Sequence, residues 1–151
     1  MIKTHYRDYA TEAWRLHARL GSAADYKRRI YAEAQERCVQ GSSGGVGSPT
    51  EAAVMRGEAA LAEKESVWRD LEAVERAMER IEARRNGDCI LRAVKEVYQV
   101  HPDVPFVSGE ITDRVNRLCM EMPADRASVY RWLAVARHTF AEERGLRTSC
   151  D

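Results

Sequence analysis

The sequence predicts an all-α protein, because helical periodicity and helix boundary signals recur along most of its length. Apolar residues return at steps of three and four residues through several stretches, which places them on one face of an α-helix. Residues typical of helix starts and stops stand at the ends of these stretches. We therefore expect an N-terminal helical hairpin, a long coiled-coil-like central helix and a compact C-terminal module of shorter helices.

Residues 1–40 are predicted to form the N-terminal helical hairpin. Its first helix covers roughly 4–20 and ends at Gly21, and its second, opened by Ser22, covers about 23–39. Each helix has one apolar face, and the second carries a basic run beside it. The apolar positions are Tyr6, Tyr9, Ala13, Leu16, Leu20, Tyr26, Ile30, Ala34 and Cys38, and the basic run is Lys27, Arg28 and Arg29.

A flexible linker over 41–48 follows, because its sequence GSSGGVGS has almost nothing to bury. Ser48 as N-cap, Pro49 at the first helical position and Glu51 in the first turn then mark a strong helix start. The pattern continues to the Asn86-Gly87 pair, which is typical of a helix end. One long helix over 49–86 is therefore predicted.

The apolar residues of this long helix follow the alternating three- and four-residue steps of a coiled-coil seam. The seam has small residues in its first half, a lysine in the middle and large aliphatic residues from Val67 onward. It consists of Ala53, Gly57, Ala60, Lys64, Val67, Leu71, Val74, Met78 and Ile81. Such a seam packs either on the N-terminal hairpin of the same chain or on a second copy, which would make the protein a homodimer through the long helix.

Composition excludes several classes of function. Of 151 residues, 24 are Lys or Arg and 24 are Asp or Glu, so the net charge is zero, and no apolar run reaches the roughly 18 to 20 residues of a membrane span. The four cysteines and four histidines are widely separated, without the close pairs of metal or redox sites. The glycine-rich linker lacks the Lys-Ser/Thr of a phosphate-binding loop. We expect a cytoplasmic protein that is not an enzyme and has no catalytic residues, no metal and no cofactor.

The C-terminal module, 87–147, is predicted to contain three helices. The first runs from Asp88 to about Gln99, and the two prolines of VHPDVPFVSG then impose an irregular turn. The second runs for about 12 residues from Ser108 to a stop at Pro123. Asp125 is a good N-cap for the third, a recognition-type helix over 125–145. Its buried stripe is predicted to be Val129, Trp132 or Leu133, Ala136 and Phe140.

This last helix is locally basic although the chain is neutral. Between 126 and 147 there are five arginines, at 126, 131, 137, 144 and 147, against Glu142 and Glu143. A short helix, a tight turn and a second helix with arginines on its exposed N-terminal face form the helix-turn-helix geometry that reads the major groove. The predicted DNA-binding residues are Arg126, Ala127, Ser128, Tyr130, Arg131 and Arg137. Arg126 and Arg131 would contact guanine edges or phosphates, and Ser128 and Tyr130 would make phosphate or stacking contacts.

The segment GEITDRVNRLCMEMPADRASVYRWLAVARHTFAEERGL resembles the C-terminal helix-turn-helix of the RinA/ArpU-type phage transcription regulators, which are similar to region 4 of sigma factors. Its ASVYRWLAVAR matches the S-T-V-Y-R-x-L-x-x-A-R pattern of their recognition helices. The N-terminal YATEAWRLHARLGS and the long helix are similar to the longer relatives, so the resemblance covers most of the chain. The positions that it carries over are Arg126, Ala127, Tyr130 and Arg131.

The resemblance implies a sequence-specific activator of phage or prophage late genes, which binds double-stranded promoter or operator DNA and contacts bacterial RNA polymerase. The alternative is a structural DNA-packaging adaptor of the small-terminase type, in which the coiled coil assembles a ring. Oligomer size separates these readings, since a monomer or dimer favours the regulator and a ring of subunits favours packaging.

Overall fold

The computed structural model describes residues 4–41 and 49–146, which form seven α-helices and no strand. The all-α prediction is therefore confirmed for this part of the chain. The helices are α1 (Thr4–Leu20), α2 (Ala23–Gly41), α3 (Pro49–Glu63), α4 (Glu65–Glu82), α5 (Gly87–Val97), α6 (Glu110–Glu121) and α7 (Arg126–Arg144). Residues 42–48 of the predicted linker lie outside the described residues, and so does Arg147.

The core is built around α7, which packs against α1, α4, α5 and α6. Its C-terminal half is covered on several sides by apolar residues from these helices. The largest fully buried side chains of this cluster are Trp14 of α1, Val74 and Ile81 of α4, Ile90, Val94 and Val97 of α5, Val115 and Leu118 of α6, and Val129, Leu133 and Phe140 of α7, whereas the fully buried Leu71 of α4 belongs to a second cluster with Ala23 and Tyr26 of α2. Burial of such side chains contributes about 1.5 to 3 kcal/mol each, so this cluster dominates the stability of the fold.

The predicted N-terminal hairpin is corrected by the structure, because α1 belongs to the central core and α2 packs most extensively on α3. Trp14 is the anchor of α1: it is fully buried, and its indole N–H donates a hydrogen bond to the carbonyl oxygen of Ala136 at 3.2 Å. The helix ends at Gly21 as predicted, with φ +82°. The reason for the different packing is that Ala10, Ala13 and Trp14 give α1 a deeply buried face toward α4 and α7.

The single helix predicted over 49–86 is corrected as well, because the helix breaks at Lys64 and ends at Glu82. Lys64 is exposed, and burial of its ammonium group in an apolar seam would be costly. Trp68 completes the break, since its indole N–H donates to the carbonyl oxygen of Leu61 at 2.8 Å. The break lets α3 pack on α2 while α4 enters the central core.

The coiled-coil seam is therefore used within one chain. Leu71, Val74 and Ile81 are completely buried against other helices of the same molecule. In α3, Gly57 is buried against the ring of Tyr31 from α2. The large aliphatic half of this seam is occupied by packing within the chain, whereas Ala53 and Ala60 of its first half are half-buried and Lys64 is exposed.

The long connection between α5 and α6 is held by a buried arginine of α1. The guanidinium of Arg15 donates to the carbonyl oxygens of His101, at 3.0 Å, and Val104, and it lies 3.9 Å from the ring centroid of Phe106. Burial lowers the pKa of Arg15. This arginine fixes the loop over 98–109 against α1 and so positions the start of α6.

Candidate nucleic-acid interface

The turn between α6 and α7 is short and fixed by its capping residue. Met122 is extended, with φ −133° and ψ 152°, and α7 begins at Arg126. The carboxylate of Asp125 accepts a hydrogen bond from the backbone N–H of Ser128 at 2.7 Å, so the predicted N-cap is confirmed. Hydrogen bonds from the Ser128 side chain and backbone hold the pKa of Asp125 below its usual value. A charged cap thus defines the first turn of α7.

The two halves of α7 have different surroundings. From position 133 to position 141 the helix is mostly enclosed, with Leu133, Ala136, Thr139, Phe140 and Ala141 buried. In the first two turns Val129 alone is buried, and the neighbouring side chains are exposed or half-buried. The N-terminal turns of α7 therefore project to the surface from a helix whose other half is fixed in the core.

The six predicted site residues all lie on α7, and five of them, all except Ser128, form two adjacent stripes. At about 100° per residue, Arg126, Tyr130 and Arg137 share one side of the helix, and Ala127 and Arg131 lie on the next. Arg126, Ala127, Tyr130 and Arg131 are exposed, whereas Ser128 and Arg137 are half-buried. Within this set, the guanidinium of Arg131 donates to the hydroxyl oxygen of Ser128 at 3.3 Å.

The negative charges at the C-terminal end of α7 are neutralised by α4. Arg80 forms ion pairs with Glu142 at 3.0 Å and Glu143 at 3.1 Å, and Arg76 pairs with Glu143 at 3.1 Å. The two acidic residues that opposed the arginines of this helix in the sequence therefore have their own partners. They do not offset the positive charge at the other end of α7.

The arginines of α7 divide into paired and unpaired groups. Arg144 forms an ion pair with Asp70 at 2.7 Å, and Asp70 also accepts the hydroxyl of Tyr9 at 2.5 Å. Burial, followed by this hydrogen bond, raises the pKa of Tyr9 to about 12. In contrast, no carboxylate of the described residues lies within 4.0 Å of the side-chain nitrogens of Arg126, Arg131 and Arg137. The arginines of α7 without a side-chain ion pair are thus on its N-terminal and middle turns, where the carboxylate of the cap Asp125 interacts electrostatically with Arg131.

A cleft of about 490 Å³ opens beside these turns. Its walls come from the first half of α1, from Phe106, from the first turn of α6 and from α7, and it includes Arg7, Thr112, Tyr130 and Arg137. The hydroxyls of Tyr130 and Thr112 are 3.5 Å apart, which joins α7 to α6 at the edge of the cleft. The exposed surface of α7 therefore continues into a concave surface shared with α1; we name it the α1–α7 cleft.

Arg7 and Thr112 were not among the residues predicted from the sequence. Arg7 is far from α7 in the chain, and α1 was expected to pair with α2, so no local pattern could associate it with this surface. The buried Trp14 and Arg15 are the residues whose contacts bring α1 here. No local pattern marks these two residues, since each tryptophan of the sequence, at 14, 68 and 132, stands next to an arginine.

Comparison with known protein families, curated proteins and solved structures finds no match for this chain.

In the described residues, no group of three or more His, Cys, Asp or Glu side chains is arranged to hold a metal ion. Among the same residues, no helix has both the length and the apolar character of a membrane span. Cys89 and Cys119 are half-buried free thiols.

Proposed function

We propose that this protein binds double-stranded DNA in a sequence-specific manner through α6, the turn and α7, and that it regulates transcription. The observation that carries this proposal is the exposure of Arg126, Tyr130 and Arg131 on the first two turns of α7, a helix whose C-terminal half is held in the core. In the helix-turn-helix mode, these turns enter the major groove and α6 crosses above the backbone.

The proposed contacts follow from position on the helix. Arg131 and Ala127 lie on the outward stripe and would face base edges, where a guanidinium recognises guanine and a methyl group contacts thymine. Arg126 and Tyr130, with the half-buried Ser128 and Arg137, would contact phosphates at the sides of the helix. The ion pairs between α4 and the end of α7 support this orientation, because they leave positive charge where the groove would lie.

The resemblance to the RinA/ArpU-type regulators adds the biological setting to this proposal. It suggests an activator of phage or prophage late genes that acts at a promoter together with bacterial RNA polymerase. The matching segment, 109–146, covers α6, the turn and α7, which are the elements that would contact DNA.

The proposal is tested with the full chain and a pool of random-sequence duplexes. Rounds of binding and amplification should enrich one sequence motif, and polarisation titrations should then show a preference of about a thousandfold for that duplex over a scrambled one. If no motif is enriched, or if both duplexes bind equally weakly and lose binding as salt increases, sequence-specific recognition is excluded.

Arg131→Ala tests the assignment of a base-reading residue. Because a guanidinium on the outward stripe would contact a base edge, this variant should lose about 1 to 3 kcal/mol on the enriched duplex and much less on the scrambled one. Arg28→Ala is the matched control, since Arg28 is an exposed arginine of α2 whose ion pair among the described residues is with Asp25. Equal losses of Arg131→Ala on both duplexes would assign Arg131 to the backbone instead.

Oligomer size tests the packaging alternative. Light scattering of the full chain at working concentration should give a monomer or dimer for a regulator. A closed ring of many subunits would favour the packaging adaptor and would overturn the assignment as a transcription regulator.

A further inference from the structure

The α1–α7 cleft contains a cation that lacks a counter-ion. Arg137 is half-buried at its wall, and among the described residues its side chain donates one hydrogen bond, to the hydroxyl oxygen of Tyr98 at 2.6 Å. Its Nε atom is buried without a hydrogen-bond partner, and no carboxylate in the described part of the chain lies within 4.0 Å of the side chain. A partly desolvated guanidinium with one neutral partner is unfavourable by itself, so an anion that reaches the cleft would be stabilised there.

A second arginine lies at the edge of the same cleft. The side chain of Arg7 is 57% exposed, and its closest carboxylate, that of Asp8, is 3.9 Å away, at the limit of an ion pair. Glu12, the other acid of the cleft, is already paired with Arg19 at 2.9 Å. The cleft therefore offers two guanidinium groups, from helices far apart in the sequence, and two carboxylates, of which Asp8 is loosely paired with Arg7 and Glu12 is paired with Arg19.

The cleft is also placed where a DNA strand would pass. Tyr130 forms part of its wall and belongs to the same stripe of α7 as Arg126 and Arg137, next to the outward stripe with Arg131. When the outward stripe of a recognition helix lies in a major groove, the backbone of one strand runs along its side. Hydroxyls of Tyr130 and Thr112 at this edge are suitable donors to phosphate oxygens.

We propose that the α1–α7 cleft receives phosphates of one DNA strand, with Arg137 holding a phosphate at the wall and Arg7 a second one at the rim. This inference rests on the proposed function and extends it, because it makes α1 a part of the DNA-binding surface. Bidentate guanidinium contacts suit phosphate oxygens, and they carry no sequence information. Arg7 and Arg137 thus increase affinity without setting sequence preference.

The experiment compares Arg7→Ala, Arg137→Ala and Asp8→Asn with wild type on the enriched and scrambled duplexes over a series of salt concentrations. Loss of one phosphate contact should weaken binding to both duplexes by the same factor, about tenfold at 0.1 M salt, and reduce the salt slope by about one. Asp8→Asn should strengthen binding to both duplexes, since it removes the carboxylate next to Arg7, which would repel the phosphates of the bound strand. Arg28→Ala is again the control and should leave all values unchanged.

Two further arms separate this inference from its competitors. Thermal melts of each variant identify any loss that comes from misfolding, and Arg7→Ala keeps the test valid if Arg137→Ala unfolds, because Arg7 is exposed. Melts of wild type in inorganic phosphate, against sodium chloride of equal ionic strength, test for a free-anion site. Stabilisation by phosphate that Arg137→Ala abolishes, together with unchanged DNA binding of Arg7→Ala, would overturn the DNA assignment of the cleft.

The outcomes distinguish the inference from the function on which it rests. If wild type enriches no motif and binds no duplex, the proposed function and the inference are both wrong. If wild type binds its motif and responds to Arg131→Ala, while Arg7→Ala and Arg137→Ala behave as Arg28→Ala does, only the inference is wrong. A loss confined to the enriched duplex would also contradict it, because phosphate contacts affect every sequence alike.

Discussion

Leu133 and Trp132 are neighbours on α7, and the smaller of the two is the one that is fully buried. Leu133 has 1% of its surface exposed and lies in the central core, whereas Trp132 is half-buried at the edge of the same cluster. Helical periodicity allowed either residue, because both fall near the same stripe of the helix. Which of the two is buried depends on the directions from which α4, α5 and α6 pack on α7, and a local sequence pattern does not predict these directions.

At the scale of single residues we expect Leu133→Ala to cost about 2 to 5 kcal/mol in the free energy of unfolding, because it leaves a cavity that closely packed helices cannot fill. Chemical denaturation followed by circular dichroism measures this loss. Met120→Ala is the matched control: Met120 is 88% exposed, and the substitution should change the free energy by no more than about 0.5 kcal/mol. Similar small changes for both variants would show that α7 is rotated relative to this description.

The contact between α4 and α5 is closed by a glycine. Gly87 is the first residue of α5, and a Cβ atom at this position would lie 2.1 Å from the carbonyl oxygen of Ile81. The sequence predicted Asn86-Gly87 as the end of a long helix, on the basis of the left-handed conformation that glycine favours there. The structure uses glycine for a different reason, since φ is positive at Gly21, Gly109 and Gly145 but not at Gly87.

At the scale of the elements we expect Gly87→Ala to cost about 1 to 3 kcal/mol or more in the free energy of unfolding, because backbone atoms must move to accept the methyl group. Gly145, with φ +79° and open space around it, provides the contrast. Asparagine tolerates the left-handed region, so Gly145→Asn should be milder than Gly145→Ala, whereas Gly87→Asn should be at least as damaging as Gly87→Ala. The same ranking at both positions would contradict the steric explanation.

Helix starts and stops were predictable at some boundaries but not at all of them, since α6 begins after Gly109 rather than at Ser108 and α5 begins at Gly87 rather than at Asp88. Asp125 caps α7 and Gly21 ends α1 as expected, because capping is a local interaction. The break at Lys64 was not predicted, although this lysine interrupts the apolar seam. A heptad pattern describes a helix that has an apolar partner, but it does not distinguish a partner in another chain from several partners within the same one.

For the whole molecule, the main consequence of the fold is that the proposed DNA-binding module is not an independent unit. The core that buries α7 includes Trp14 of α1 and Val74 and Ile81 of α4. We therefore expect the fragment 87–151 to be unfolded, with weak helical circular dichroism and a poorly dispersed amide spectrum. The full chain should give a cooperative helical transition, and a stable fold of the fragment would contradict the shared core.

Within the intact chain, the α2–α3 pair can be compared with α7 in its local stability. Most side chains described for α3 are exposed or half-buried, whereas α7 packs against four other helices and its C-terminal half is mostly enclosed. Amides of α3 should therefore exchange hydrogen faster than those of α7. These relations depend on contacts between residues far apart in the chain, which is why the sequence indicated the helices and the α7 surface but not the position of α1.

Because α7 is anchored in the core, the conformational entropy of ordering this helix is lost when the protein folds and not when it binds a partner. Its backbone is fixed by the core before any partner arrives, so the conformational entropy belongs to folding, and association would not include the ordering of a disordered segment. A variant that loosens the core away from the cleft, such as Ile90→Ala, would then weaken binding only through the smaller population of folded molecules. Its apparent dissociation constant would rise as the inverse of the folded fraction, whereas its intrinsic affinity would remain that of the wild type.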